Sequence, residues 1–333
     1  MTALGSTPVR NILVIGGSGF IGTRLIDVLV AEGYEVANLD LAPSPRHAPL
    51  TTLGDVRNLA AVTAASAGRD VIVNLAAEHR DDVRPVSRYD SVNVDGARTV
   101  AAAAEANGID RIVFTSTVAV YGLDQPYPDE GQAPAPFNDY GRTKLEAEQV
   151  LSSWAEQDSR RSLVVVRPAV VFGEGNRGNV YNLARQVASG RFLFVGAGSN
   201  RKSMGYVGNL AAYLAGSVTA GPGTSVVNYA DKPDLTTRQI VELIHATLGS
   251  ARRSSRTVPL PLGLAAGRAF DGLSRVSGRS LPVSSVRIRK FTAQTTVDTT
   301  RLQASGFQAE VTVPEALRRT LLAEFGDRTR GTS

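Results

Sequence analysis

The sequence predicts an α/β fold: a doubly wound parallel sheet carrying a smaller, irregular C-terminal part. Three observations predict it. Short apolar runs alternate with segments of helical periodicity from Asn11 to Pro168. The first strand-to-helix turn is a cluster of glycines, and the alternation loosens after Pro168. With 333 residues, 43% of them hydrophobic, the chain can bury a large core.

Asn11 to Ile15 reads as a buried parallel strand, after which Ile21, Leu25, Ile26, Leu29 and Val30 repeat at helical spacing. Glu35 to Leu39 is a second strand, closed by Asp40. Between them, Gly16 permits a tight turn, Gly19 lets backbone N–H groups approach a pyrophosphate, and Gly22 lets the helix pack close to the strand. Phe20 and Ile21 open that helix, whose positive end faces the phosphates. Asp40, twenty-four residues after Gly16, stands where a carboxylate accepts the ribose hydroxyls of NAD.

Pro49 to Leu53 is expected as a third strand, ended by Gly54-Asp55-Val56-Arg57 and followed by a helix to about Ser66. Asp55 and Val56 thus lie at a carboxyl strand end, where an adenine would rest. Asp70 to Leu75 is a fourth strand, and the small Ala76 and Ala77 after it admit a ligand close to the backbone. Tyr89 to Asn107 predicts a long helix with Asn93 near its start, and Asp110 to Ser116 a fifth strand. Phe137 to about Ala155 is a further helix, and Ser162 to Arg167 a sixth strand stopped by Pro168. Beyond the loop Gly173 to Asn179, the pattern predicts a helix to Ser189, a short strand at Phe192 to Val195, a helix over Gly208 to Val218 and a seventh strand at Ser225 to Tyr229. From Leu235 onward, helices alternate with short segments and basic loops. These bounds assign 8–173 and 205–230 to a dinucleotide-binding domain, and 174–204 and 231–333 to a substrate-binding part.

The absence of cysteine excludes disulfides, thiolate chemistry and Cys-based metal sites, and fits a cytoplasmic enzyme. His47, His79 and His245 are scattered without ligand spacing, so no metal is expected. No signal peptide is expected before the first strand, and no run approaches the roughly twenty apolar residues of a membrane span. Net charge is +5, and from Ala251 to Lys290 nine basic residues face Asp271 alone. That stretch suits a solvated face, an anionic substrate such as a sugar diphosphate, or an acidic membrane surface. Nucleic acid is not expected, because neither a recognition module nor interleaved aromatics accompany the charge. Leu260, Leu262, Leu264, Phe270, Leu273 and Val276 interleave with Arg268 and Arg275, a pattern for weak contact with a bilayer surface or for packing on the parent domain.

Tyr140 and Lys144 stand four residues apart on an expected helix, so the phenol and the ammonium can share one cleft. A free phenol, with a pKa near 10, is a poor base at neutral pH. A neighbouring lysine cation and an oxidised nicotinamide both favour the phenolate and are expected to lower that value. Such a tyrosine can take the proton of a sugar hydroxyl while hydride leaves the same carbon for NAD. Thr117, just past the fifth strand, can hydrogen-bond the reacting oxygen, or simply cap a turn.

Together GGSGFIG (16–22), Asp40, GDVR (54–57), NLAA (74–77), TSTVAVYG (115–122), YGRTK (140–144) and RPAVVFG (167–173) resemble the extended short-chain dehydrogenase/reductases, and within them the NAD-dependent nucleotide-sugar epimerase/dehydratase family. The resemblance implies a Rossmann fold, NAD as cofactor, a UDP-sugar substrate and Thr117, Tyr140 and Lys144 as the catalytic set. It implies Asp55 and Val56 at the adenine and Lys144 on the nicotinamide ribose, with Leu75, Ala76, Ala77, Asn93 and Pro168 completing the cofactor site. Asn179, Arg201 or Lys202, and Arg287 or Arg289 would take the substrate and its diphosphate. Members that eliminate water carry Asp-Glu after the catalytic threonine; here Val118-Ala119 stand there and cannot move protons, which argues against a dehydratase. Residues 173–207 resemble the polysaccharide-assembly branch. The expected activity is 4-epimerisation of a UDP-hexose or UDP-N-acetylhexosamine, the alternatives being an NAD(P)H-dependent UDP-4-keto-sugar reductase and a non-catalytic NAD sensor. A lipid-linked sugar and a homodimer remain open expectations.

Overall fold

The structure, a computed structural model, describes residues 8–329 apart from 81–82, 124, 191, 250–256 and 278–284; side chains at 272–277, 285–287, 290 and 327–329 also lie outside the described set. The first half runs β1 (Asn11–Ile15), α1 (Phe20–Ala31), β2 (Glu35–Asp40), β3 (Thr51–Leu53), α2 (Leu59–Ser66) and β4 (Val71–Asn74). It continues with α3 (Ser87–Tyr89), α4 (Gly96–Ala106), β5 (Arg111–Thr115), α5 (Asp139–Glu156) and β6 (Ser162–Pro168). Then come β7 (Val170–Phe172), α6 (Asn179–Ala188), β8 (Phe194–Val195), β9 (Arg201–Tyr206), α7 (Val207–Ser217), β10 (Gly223–Tyr229), β11 (Asp231–Thr236) and α8 (Thr237–Leu248). The described chain closes with β12 (Thr257–Val258), α9 (Leu260–Ser277), α10 (Ser285–Thr292), α11 (Thr300–Ala304) and α12 (Val313–Thr329).

Seven strands form one parallel sheet in the order β3-β2-β1-β4-β5-β6-β10. The near-continuous apolar character of its central strands follows from burial on both faces. On one face Val14, Val73 and Val113 meet Leu25 and Leu29 of α1 and Leu210 and Leu214 of α7. On the other, Leu13, Ile72 and Phe114 meet Val62, Val100, Leu151 and Trp154 of α2, α4 and α5. Two expectations at the edges shift. Ala48–Leu50 is a 3-10 turn, so β3 begins at Thr51. Pro168 continues β6 rather than ending it, because the ladder to β10 passes its missing N–H to Ala169, which donates to the Tyr229 carbonyl at 2.9 Å.

The second half holds structure that periodicity did not reveal. β7, β9 and β11 make a three-stranded sheet, packed with α6, α8 and α12 around Phe172, Val180, Leu235, Ile244 and Leu317. β9 (RKSMGY) and β11 (DKPDLT) carry charge, Gly and Pro where alternating apolar residues would announce a strand. Their antiparallel pairing shifts register between Asp231 and Leu235, which accommodates Pro233 at an irregularity.

Beneath the carboxyl ends of β5 and β6 lies a buried polar network. Glu148 of α5 accepts two hydrogen bonds from the Arg167 guanidinium of β6, at 3.0 and 2.6 Å, and one from the Ser116 hydroxyl. Arg167 also donates to the Tyr121 hydroxyl at 2.7 Å, which donates to Asn228 Oδ1 at 2.8 Å. The pair ties α5 to the sheet with both charges compensated. Glu148→Gln is expected to lower unfolding free energy by about 3–5 kcal/mol, because it leaves a buried, uncompensated guanidinium; urea titration followed by circular dichroism measures this.

Candidate active site

The glycine turn is shaped by what approaches it. Gly16 has φ +84°, and a Cβ there would stand 2.8 Å from the Ala76 amide nitrogen, so only glycine lets the β1 and β4 turns touch. At Gly22 a Cβ would come within 2.5 Å of the Gly16 carbonyl oxygen, so the first turn of α1 presses directly on the loop. Asn74 completes this approach: its Oδ1 accepts the Ala76 N–H at 3.1 Å and bends the chain after β4. Leu75, Ala76 and Ala77 therefore stand half-buried beside the turn. Asn38, which the sequence reading passed over, is 1% exposed; it accepts the Gly17 N–H at 2.9 Å and donates to the Ser18 and Thr51 hydroxyls. An asparagine inside an apolar strand is the signal that could have found it.

Asp40 accepts the Ser18 N–H at 2.9 Å and the Ala42 N–H at 3.1 Å, and each carboxylate oxygen keeps capacity for a second donor. Arg46 is drawn to Asp27 of α1 at 3.1 Å, in company with His47. Asp55 is gripped by Arg57, which holds its carboxyl below the usual range, and Val56 is buried against Gly96. Asn93, expected to help complete the cofactor site, is held by the protein's own groups. It lies in a π-helical segment, Asp90–Asp95, and its amide is spent on the protein. It accepts the Glu78 N–H at 2.9 Å and donates to the Glu78 carbonyl and the Thr143 hydroxyl. Its side chain thus spans the Ala77–Glu78 segment and α5 and shapes the site by positioning them.

α5 begins at the Asn138 cap, whose Oδ1 accepts the Gly141 N–H at 2.9 Å, and it presents Tyr140 and Lys144 on one face. The Tyr140 and Thr117 hydroxyls hydrogen-bond, and Thr117 Oγ1 also accepts the Ala119 N–H at 3.1 Å. Thr117 thus caps the turn after β5 and is hydrogen-bonded to Tyr140. Lys144 is 1% exposed, with its ammonium 4.1 Å from the centre of the Phe114 ring. The protein's own groups move the tyrosine pKa in the opposite direction from the one expected beside a lysine cation and an oxidised nicotinamide. Desolvation pushes the phenol up to about 12, and the Thr117 hydrogen bond offsets only part of that. Desolvation also pushes Lys144 down to about 7, against the opposing pull of Glu148 one turn on. Each ion is disfavoured singly, so each gains most from a counter-charge beside it.

The substrate candidates are spread over the smaller part. Asn179 opens α6 and is exposed. Arg201 is exposed and donates to the Asp234 carbonyl at 2.9 Å, whereas Lys202 is half-buried, donates to the Ala293 carbonyl at 2.6 Å, and is pushed by desolvation to about 8. Arg289 is exposed on α10, while the Arg287 side chain lies outside the described residues. Of the basic stretch, Arg252, Arg253, Arg256 and Arg279 lie outside them as well. Among the described residues no cluster of His, Asp and Glu could hold a metal.

A parallel sheet with a glycine-lined turn, an acid closing β2 and a Tyr–Lys helix at its carboxyl edge defines an NAD-dependent oxidoreductase-type enzyme. Residues 12–228 match the NAD dependent epimerase/dehydratase family, and the chain belongs to it. It is 48% identical, over 95% of both chains, to the N-acetyl-α-D-glucosaminyl-diphospho-ditrans,octacis-undecaprenol 4-epimerase of Escherichia coli O157:H7. It is 28% identical to the UDP-glucose 4-epimerase of Vibrio cholerae, over 76% of this chain and 79% of that one. In structure it resembles the UDP-N-acetylglucosamine 4-epimerase of Methanobrevibacter ruminantium, with TM-score 0.75, 22% identity and coverage of 96% of this chain and 100% of that one. The Thermus thermophilus UDP-glucose 4-epimerase in complex with NAD aligns with TM-score 0.73, 22% identity and coverage of 97% and 100%. This kinship makes the chain an NAD-dependent enzyme of the epimerase/dehydratase family. Its residues fit the cofactor: the turn carries glycine at 16, 17 and 19, Asp40 keeps acceptor capacity, and the Thr115 hydroxyl at the carboxyl end of β5 is buried without a partner among the described residues.

Two outcomes follow from this geometry. Asp40 repels a 2′-phosphate and Arg46 is engaged by Asp27, so NAD should bind at least about tenfold (~1.4 kcal/mol) more tightly than NADP, with Asp40→Asn narrowing the gap in calorimetric titration. The folded-state pKa of Lys144, about 7, lies below the roughly 10.4 of a free lysine, so folding releases its proton between those values. The cost of burying the ammonium is complete below about pH 7 and fades as pH rises. Lys144→Met, without added NAD, should therefore raise the thermal midpoint more at about pH 6 than at about pH 9.

Proposed function

We propose that the chain interconverts the C4 epimers of an N-acetylhexosamine carried on a polyprenyl diphosphate, at the cytoplasmic face of a membrane. The observation that carries this reading is the 48% identity, sustained over 95% of both chains, with an epimerase of such a lipid. Val118-Ala119 support it against a dehydratase, since two aliphatic side chains follow Thr117 where elimination needs an acid and a base. When bound, NAD supplies the acceptor that takes the C4 hydride and returns it.

The protein's part is proton handling and orientation. Tyr140 Oη takes the proton of the 4-hydroxyl, and Thr117 Oγ1, hydrogen-bonded to it, steadies the reacting oxygen. The phenolate is costly in a desolvated cleft unless a cation stands beside it, and Lys144, one helical turn on, is a cation costly for the same reason. Forming the two together compensates both, which confines proton removal to the closed, filled site. The ketone produced at C4 must then turn its other face before the proton and hydride return. Lys202 and Arg201, on one strand of the smaller sheet, are the cations this reading assigns to the diphosphate.

The test supplies purified protein with a short-chain polyprenyl-diphospho-N-acetylglucosamine and, separately, with UDP-N-acetylglucosamine, adding no reducing equivalents. Proton NMR should show the galacto epimer of the lipid-linked sugar with no net NADH change. Tyr140→Phe should bind NAD and lose about 10²- to 10⁴-fold in turnover. Epimerisation of the UDP-sugar alone would return the substrate to the nucleotide class. Absence of epimer from both, with NAD(P)H consumed on a UDP-4-keto sugar, would favour the reductase.

A further inference from the structure

α9 sits on the protein by its smallest residues. Over its described side chains, 260–271, only Gly263 and Gly267 are buried. A Cβ on Gly263 would come within 2.5 Å of Val195 Cγ1 in β8, so the helix rests on that strand through bare backbone. The face turned away carries Leu262, Ala265, Ala266 and Ala269, all exposed, and Leu262 is 63% exposed. Phe270, 41% exposed, flanks it, whereas Leu260 lies on the Gly263 side beside Gly196 and Leu264 is half-buried. An ordinary surface helix of a globular protein turns its leucines inward and its charges out. Here large apolar side chains point outward and Arg268 is the basic residue among them, also exposed.

Charge points to what such a face meets. Ala251 to Lys290 contains nine basic residues and Asp271 as its one acid, a composition suited to an anionic surface, and of these the described side chains of Arg268 and Arg289 are exposed. Among the described residues no helix is long and apolar enough to cross a membrane, so contact is made from the side. The chain beyond α10 is stitched to the strand that bears Lys202. Asn200 Nδ2 donates to the Phe291 carbonyl at 2.9 Å, Lys202 Nζ to the Ala293 carbonyl at 2.6 Å, and the Ser203 N–H to the Thr295 carbonyl at 2.9 Å. The outward helix and the cations assigned to the diphosphate therefore belong to one connected unit.

We infer that α9 is a membrane-docking helix, seated on the protein through Gly263 and Gly267 and entering the interface of an anionic bilayer with Leu262 and Phe270. The inference rests on the lipid-linked reading above for its purpose but not for its measurement. A polyprenyl diphosphate keeps its chain in the bilayer and its sugar at the surface, and a docked α9 holds the sugar cleft at that surface.

The full chain is mixed with sedimentable vesicles of phosphatidylcholine, with or without phosphatidylglycerol. Wild type should sediment with the anionic vesicles and be released by salt. Leu262→Glu and Phe270→Glu should each weaken that binding about tenfold or more, since each removes the burial of one large apolar side chain. Both should keep the wild-type circular dichroism spectrum and turnover of a short-chain, water-soluble substrate. Wild type that ignores the vesicles, or variants that bind as wild type does, would overturn the inference. So would a wild-type dimer dissolved by Leu262→Glu, which would assign the face to a second copy. Vesicle binding by an enzyme that turns over UDP-sugars alone would leave the docking helix standing and remove the lipid-linked substrate.

Discussion

The candidate catalytic helix is held in place by a buried ion pair. Glu148 and Arg167, each 5% exposed, bridge α5 to β6, and Ser116, Tyr121 and Asn228 extend the bridge to the β5 loop and β10. Tyr140 and Lys144 stand two turns and one turn before Glu148 on the same helix, so their placement depends on that anchor. An apolar contact could hold the helix as firmly. A hydrogen-bonded charge pair with fixed geometry restricts its rotation and register more closely, and it leaves a carboxylate near enough to support the charge of Lys144.

The opposite side of the cleft is built by close approach. Glycine at 16 and 22 lets three pieces of backbone meet, the β1 turn, the start of α1 and the chain leaving β4. Asn38 and Asn74 then fasten the meeting point with hydrogen bonds that no apolar side chain could supply. All strands of the large sheet are parallel, so these groups and those of α5 collect along one carboxyl edge. The chemistry is concentrated there because topology delivers every loop to the same side.

The smaller part works differently. Its three strands are held by pairing and by a core shared with α6, α8 and α12, while Lys202 and the segment after α10 are joined by side chain-to-backbone bonds. Arg201, Lys202 and an outward apolar helix thus share a frame distinct from the sheet that carries the candidate catalytic helix.

Much of the large sheet was legible in the residues. β1, β2, β4, β5 and β6 are short apolar runs bounded by turns, and α1 and α5 are periodic, so local pattern and final burial agree. The Tyr140–Lys144 spacing was legible for the same reason, because helical geometry alone puts residues four apart on one face. Sequence by itself therefore determined the fold class, the glycine turn and the candidate catalytic helix. Only the tertiary structure decided the rest. β9 and β11 exist through pairing with each other, Asn93 turns inward because Glu78 and Thr143 meet it, and desolvation sets the protonation of Tyr140 and Lys144. The outward face of α9 is of this kind too. Its periodicity marks an amphipathic helix, but whether leucine or glycine faces the protein depends on what stands at Val195 across the contact, and that is a property of distance along the fold, invisible to spacing along the chain.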